Sequence, residues 1–190
     1  MMGKLYQEID ATLAAFIAKQ HLFFVASAPI GGEGHVNLSP KGFDAFAILD
    51  PMTVAYLDLT GSGVETIAHL QENGRIVIMF CAFEGPPKIL RLYGRGEVVT
   101  PHDPPFTELR AHFPPYLGVR AVIRVRLERI TDSCGFGVPV MHYESERTQL
   151  HDWAAHKGEE ALLAYREANN SNSIDGLPGL ASLTSIPADR

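Results

Sequence analysis

Cysteine is scarce in this chain: among 190 residues only Cys81 and Cys134 are cysteines, and they lie far apart in sequence. Neither belongs to a Cys-x-x-Cys pair, so no zinc-binding cysteine motif is present, and we expect no metal site. Free thiols in the reducing cytoplasm are the favoured interpretation, although a single disulfide between the two cysteines stays open.

Long apolar runs and an excess of positive charge are also missing. No run reaches the ~18 residues of a membrane-spanning helix, and the first fifteen residues lack the basic-then-apolar layout of a signal peptide. The formal net charge is −6, which disfavours binding to nucleic acid. We therefore expect a cytoplasmic protein that binds neither membranes nor nucleic acid.

Recognisable hydrolytic and metal-binding motifs are absent as well. The eight histidines show no His-Glu-x-x-His spacing, and no serine lies in a nucleophile elbow. Cys134 has no neighbour in sequence that would activate its thiol. The sequence therefore identifies no catalytic residue.

The apolar residues that are present follow helical and strand periods. The first helix has one apolar face, formed by Ile9, Leu13, Phe16 and Ile17, and we expect it to end near residues 19–21. Strands are predicted at residues 22–28, 35–38, 45–49, 53–59, 75–83, 88–100 and 119–130. Further helices are predicted at residues 64–71, 103–113 and 148–169, with Asn73-Gly74 ending the first of these and Gly158 interrupting the last.

The sequence also predicts how three of these segments are buried or interrupted. The run 22–28 is continuously apolar, which is typical of a strand buried on both faces, and Ser39-Pro-Lys-Gly42 is expected to break the strand before it. In residues 119–130 the apolar residues alternate with Arg120, Arg124 and Arg126, which predicts a half-buried strand with a basic outer face.

The fold class follows from this order of elements. Strands and helices do not alternate strictly, so a mainly β, antiparallel barrel of about six strands with flanking helices is expected. We assign residues 1–145 to the barrel and residues 146–190 to a C-terminal helical extension and tail. The tail is polar, but Ile174, Leu177, Leu180 and Leu183 recur in it, so we expect it to pack over a partner subunit or the mouth of a site.

A strand that leads through Thr60-Gly-Ser-Gly63 into a helix has the features of a phosphate cradle. The first amides of a helix lack internal partners, glycines allow close approach, and Thr60, Ser62 and Thr66 add hydroxyls. The alternative is a tight turn in which Ser62 caps the helix.

Two nearby segments offer positive charge. Lys41 follows a strand and can reach a phosphate or a flavin carbonyl, or it is a solvated turn lysine. Arg91, Tyr93 and Arg95 share one strand face by period two. They can hold an anion, or they pair across strands with Glu97 or Glu128.

The order of these motifs resembles the pyridoxamine 5′-phosphate oxidase-like family of FMN-binding split barrels. The resemblance covers roughly residues 5–135 and rests on His35-Val-Asn-Leu-Ser-Pro-Lys-Gly42, on the strand ending Asp58-Leu-Thr-Gly-Ser-Gly63, and on the strand containing Arg91. It implies a six-stranded antiparallel split barrel, a homodimer, and FMN at the dimer interface. Where such proteins carry a basic pair after Ser62, this chain has Val64, Glu65 and Thr66.

The resemblance also supplies candidate cofactor-binding residues. They are Asn37, Ser39, Lys41, Asp58, Leu59, Thr60, Ser62, Gly63, Thr66 and Arg91. The implied function is that of an FMN-dependent oxidoreductase acting on a small molecule. The segment around residues 134–139 and the tail do not resemble the substrate-binding C-terminus of authentic pyridoxamine phosphate oxidases, so the substrate stays unassigned. The alternative is a non-catalytic protein that binds a flavin, a deazaflavin or haem.

Overall fold

A computed structural model describes residues 3–180 of the chain. Its strands are β1 (Leu5–Tyr6), β2 (Phe23–Ser27), β3 (Asn37–Lys41), β4 (Phe46–Asp50), β5 (Thr53–Leu59), β6 (Arg75–Cys81), β7 (Ile89–Val99) and β8 (Val119–Ser133). Its helices are α1 (Ala11–Ile17), α2 (Glu65–Asn73), α3 (Phe106–Arg110) and α4 (Gln149–Asn169).

The strands form one antiparallel sheet in the order β3-β2-β6-β7-β8-β5-β4, and β1 pairs with β8. The fold class is therefore confirmed as a mainly β, antiparallel split barrel with flanking helices. Within residues 3–180 the sheet has eight strands rather than about six. Seven of these strands correspond to the seven segments that the sequence predicts, and the eighth, β1, spans only two residues, too few to show a period in the sequence.

The expected break at residues 39–42 is wrong, because β3 continues through Pro40 to Lys41. Phe24 of β2 is the partner of Pro40, and the pairing continues to Phe23 and Lys41. A proline lacks the N–H that a second neighbour would need, but β3 lies at the edge of the sheet. The edge position lets the strand pass through Pro40 and carry Lys41 with it.

The barrel interior is filled by the predicted apolar residues of α1 and the strands. Asp10 caps α1 by accepting a hydrogen bond from the Leu13 amide at 2.8 Å, and Leu13 and Ile17 point into the core. Strand β2 alternates between buried and half-buried residues instead of being buried on both faces. One face of β2 therefore packs in the core and the other is only partly covered within a single chain.

Two glycines lie where the sequence predicts that a helix ends or is interrupted. Gly74 ends α2 with φ of 70°, a left-handed conformation that costs glycine little, and its amide donates to the Leu70 carbonyl. Gly158 interrupts α4 with φ of 72° and ψ of 169°.

After α4 the chain folds back on the barrel through residues 170–180, which we call the strap. Asn170 has no exposed surface and Leu180 is buried in the core. Of the four apolar tail residues, Ile174 is exposed, and Leu183 lies outside the described residues. Within residues 3–180, every helix falls short of the length and apolar character that a membrane span requires.

Candidate functional site

A polar cavity of about 270 Å³ lies where β5 leads into α2. Strand β3 forms one wall, the β5–α2 turn forms the floor, and β8 adds a single side chain. The lining residues are Asn37, Ser39, Pro40, Lys41, Asp58, Leu59, Gly61, Gly63, Glu65, Thr66 and Arg120. Seven of the ten predicted cofactor-binding residues are therefore brought together by the fold, all except Thr60, Ser62 and Arg91.

The wall contributed by β3 follows directly from strand geometry. Successive side chains point to opposite faces of a strand, so Asn37, Ser39 and Lys41 are half-buried and face the cavity. Leu38 and Pro40 are exposed, although Pro40 is also among the residues that line the cavity. The Ser39 hydroxyl donates to Asn37 Oδ1 at 3.2 Å, and Asn37 Nδ2 donates to the Thr66 hydroxyl at 2.9 Å. This chain of hydrogen bonds ties the edge strand to the first turn of α2.

Asp58 is the electrostatic centre of the site. Its side chain is nearly inaccessible, with Lys41 Nζ 3.3 Å from Oδ1 and Arg120 Nε 2.5 Å from Oδ2. Burial by itself opposes ionisation, but Arg120 and Lys41 outweigh it, and the pKa of Asp58 is lowered. Asp58 is therefore a carboxylate at neutral pH, and it binds both cations of the cavity.

Arg120 was expected on an exposed basic face, and this prediction is wrong. Its side chain is only 6% exposed, and it also donates from Nη1 to Asn170 Oδ1 at 2.9 Å. The reason is a β-bulge: Asp58 pairs with Ala121 and Leu59 pairs with Val119, so Arg120 is the extra residue of β8. A bulge redirects a side chain, and here it turns Arg120 toward Asp58.

The predicted hydroxyl donors divide into two groups. Thr60 is buried, and its hydroxyl donates to the Gly118 carbonyl at 2.7 Å and accepts from Arg166 Nε at 2.8 Å. Ser62 is exposed, and α2 begins after Val64 without a side-chain cap. The alternative of a Ser62 cap is therefore wrong, and only Thr66 directs a hydroxyl of this segment into the cavity.

Glu65 folds back over the turn that precedes α2. A Cβ atom on Gly63 would clash with Glu65 Oε2, so this glycine makes room for the carboxylate. Glu65 Oε1 accepts from the Ile174 amide at 3.4 Å. An acidic group therefore lies at the helix start where a phosphate was expected.

Arg91 lies outside this cavity. It is half-buried on β7, and its Nη1 donates to the Ser133 hydroxyl of β8 at 3.0 Å. Arg95, on the same face, pairs with Glu128 at 3.2 Å, as the cross-strand alternative predicted. Within one chain, both arginines therefore bind side chains of the neighbouring strand β8. A role of Arg91 toward a cofactor stays a prediction.

A larger groove of about 1650 Å³ lies elsewhere, between α1, residues 82–88 and residues 141–147. The rings of His21 and Tyr143 stack in it with centroids 3.7 Å apart, and Lys19 and Lys88 add positive charge. None of the predicted cofactor-binding residues lines this groove.

Similarity to known proteins agrees with the fold. The family model described as pyridoxamine 5′-phosphate oxidase matches residues 9–134. The pyridoxamine 5′-phosphate oxidase family protein ustO of Aspergillus flavus is 41% identical over 196 aligned residues, which cover 93% of this chain and 78% of ustO.

Two solved structures share the fold at lower identity. A HupZ variant from Group A Streptococcus superposes with a TM-score of 0.51 at 24% identity, covering 66% of this chain and 99% of that one. A candidate pyridoxamine 5′-phosphate oxidase from Lactobacillus delbrueckii gives 0.51 at 16% identity, covering 67% and 98%. The matched span, the close relative and the shared fold together establish that this chain belongs to the pyridoxamine 5′-phosphate oxidase family.

Proposed function

We propose that this protein is an FMN-dependent oxidoreductase whose flavin binds at the cavity between β3, β5, α2 and β8. The observation that carries the proposal is the meeting of Asn37, Ser39 and Lys41 with the start of α2, two segments more than twenty residues apart in sequence. The family resemblance implies a cofactor site from these two segments.

The cavity fits the hydrogen-bonding groups of a flavin. Lys41 and Arg120 are donors, and Asn37, Ser39 and Thr66 add amide and hydroxyl groups. The two cations face two carboxylates, Asp58 and Glu65, so the lining carries no net charge. As folded, the cavity therefore suits polar groups of a flavin better than a phosphate dianion.

When bound, a flavin supplies hydride-accepting chemistry, and the protein binds and orients it. Asp58 fixes the position of Lys41 Nζ, which then has donor capacity left for a carbonyl or phosphate oxygen. Asp58 itself is held as a carboxylate by two cations, so it is poorly suited to give or take a proton near neutral pH.

We further propose a cytoplasmic homodimer in which a second copy completes the site. Cavities that enclose small ligands usually measure about 300–1,000 Å³, and this one is smaller. Both cysteines are free, with Cys134 exposed, which suits a reducing compartment.

Fluorescence titration with FMN tests the flavin site through Lys41→Ala. A charge-assisted hydrogen bond contributes roughly 1.5–3 kcal/mol, so we expect the Kd for FMN to rise about ten- to a hundredfold. Lys19→Ala is the matched control, because Lys19 is an exposed lysine that lines the larger groove instead. Equal loss in both variants, or no FMN binding by the wild type, would contradict the assignment of this cavity.

A non-catalytic ligand-binding protein is the alternative, since the cavity's Asp58 is locked between two cations. The absorbance spectrum of the purified protein distinguishes flavin from deazaflavin or haem. Reduction of the bound flavin by a nicotinamide donor, followed by turnover, then distinguishes an enzyme from a carrier.

A further inference from the structure

Glu65 is the first residue of α2. Its carboxylate lines the cavity and folds over Gly63, so that a Cβ atom at this position would require the carboxylate to shift. Glu65 is half-buried, so this carboxylate is part of the cavity wall and not a freely solvated surface charge.

The electrostatics of the helix start favour an anion at this position. The first amides of an α-helix carry partial positive charge, and α2, nine residues long, has no side-chain cap at Val64. Glu65 provides the negative charge from within the chain. The cavity's two cations are both committed to Asp58, so they leave no surplus positive charge to attract a second anion.

The strap holds the Glu65 carboxylate in this position. The Ile174 amide donates to Glu65 Oε1, and Ile174 is the second residue of a turn closed by the Gly176 amide and the Ser173 carbonyl at 2.9 Å. Asp175 of the same turn binds His35 through the ring Nδ1 at 2.6 Å and the backbone amide at 2.8 Å. The strap thus connects the start of β3 with the start of α2.

We propose that Glu65 is a specificity-determining residue that competes with the phosphate of the ligand for the start of α2. The inference rests on the proposed flavin site. Phosphate enters only when the carboxylate moves away, so Glu65 weakens the binding of FMN and leaves that of riboflavin, which lacks the phosphate, nearly unchanged.

The test is the ratio of the Kd values for riboflavin and FMN in the wild type and in Glu65→Gln. The amide keeps the size and hydrogen-bonding capacity of the side chain but removes its charge, and we expect the ratio to rise at least about tenfold, through tighter FMN binding. Glu108→Gln is the control, because Glu108 is an exposed acidic residue in the first turn of α3. An unchanged ratio in Glu65→Gln, with both flavins still bound, would overturn the inference.

A second variant, Ile174→Pro, keeps the acid and removes the N–H that holds it. Proline suits the second position of a β-turn, so the strap should keep its shape. We expect a smaller rise in the same ratio, because the carboxylate is released but still present. If the ratio of the two Kd values changes in neither variant, Glu65 does not compete with the phosphate. Failure of wild type and both variants to bind any flavin would instead overturn the proposed function, and this inference with it.

Discussion

His69 of α2 is the buried titratable side chain with the clearest consequence for stability. It has no exposed surface, its Nδ1 lies 2.9 Å from the Ser27 hydroxyl, and its Nε2 has no hydrogen-bond partner among the described residues. Burial lowers the pKa of His69, and it outweighs the opposing effects of Asp175, Glu65 and Glu72. The native state therefore holds this imidazole neutral at pH values where the unfolded chain binds a proton.

This difference predicts a stability that falls with acidification. Because the unfolded state takes up the proton near its ordinary pKa of about 6.5, the free energy of unfolding should decrease between pH 7.5 and 5.5, by at most about 1.4 kcal/mol per pH unit. Measured by urea unfolding, the free energy of unfolding should depend less steeply on pH in His69→Gln than in the wild type. His112→Gln, at an exposed position, should keep the wild-type slope. A wild-type slope in His69→Gln would contradict the role of burial.

At the scale of elements, the strap is joined to the barrel by both polar and apolar contacts. Asn170 accepts from Arg120 and donates to the Gly61 carbonyl at 3.0 Å, and Leu180 is 6% exposed within the main core. Because Arg120 also holds Asp58, the strap supports the cavity as well as the barrel. Its contacts explain why a polar segment is folded at all.

Removal of the strap is predicted to destabilise the protein. A chain that ends at Asn169 loses the buried Leu180 and the hydrogen bonds of Asn170, together worth about 2–4 kcal/mol. For a chain of this size, that amounts to a decrease of roughly 5–15 °C in Tm, measured by thermal unfolding. A chain that ends at Leu180 keeps the strap and is the matched comparison. Equal Tm values and equal flavin retention in the two truncated chains would show that the strap is dispensable.

At the scale of the whole molecule, several apolar side chains are left exposed by a single chain. Leu38 of the edge strand β3 is 62% exposed, Ile30 in the loop before β3 is 65% exposed, and Phe136 in the loop of residues 134–139 is 78% exposed. Exposed strand edges and apolar side chains are features that a second subunit commonly covers. Their number here supports the proposed dimer.

The expected mass in light scattering at micromolar concentration is about twice the chain mass of 20.8 kDa. We propose that residues 134–139 form part of the dimer interface, so Phe136→Glu places a charge there and should shift the protein toward the monomer. Leu163→Glu, on an exposed position of α4, introduces the same charge elsewhere and should leave the mass unchanged. A wild type that scatters as a monomer would contradict the proposal.

Much of the fold follows from local sequence patterns. Strand β5 has the bounds 53–59 that its composition predicts, and Gly74 and Gly158 end or interrupt helices where expected. These features depend on the backbone preferences of a few neighbouring residues, so they can be recognised without knowing what packs against them. The predicted break at Pro40 is wrong because a strand tolerates proline only at the edge of a sheet. Whether β3 is an edge strand is a property of the whole sheet and not of the local sequence.

The sequence by itself determined the family and the antiparallel β class. Only the tertiary structure decided that Arg120 turns inward, that Thr60 turns away from the cavity, and that Glu65 lies over Gly63. The direction of a side chain follows its own strand period only while the pairing is regular. The bulge arises where β5 pairs with β8, and the strap packs on the barrel from the far end of the chain. Both depend on contacts between segments distant in sequence, which no local pattern predicts.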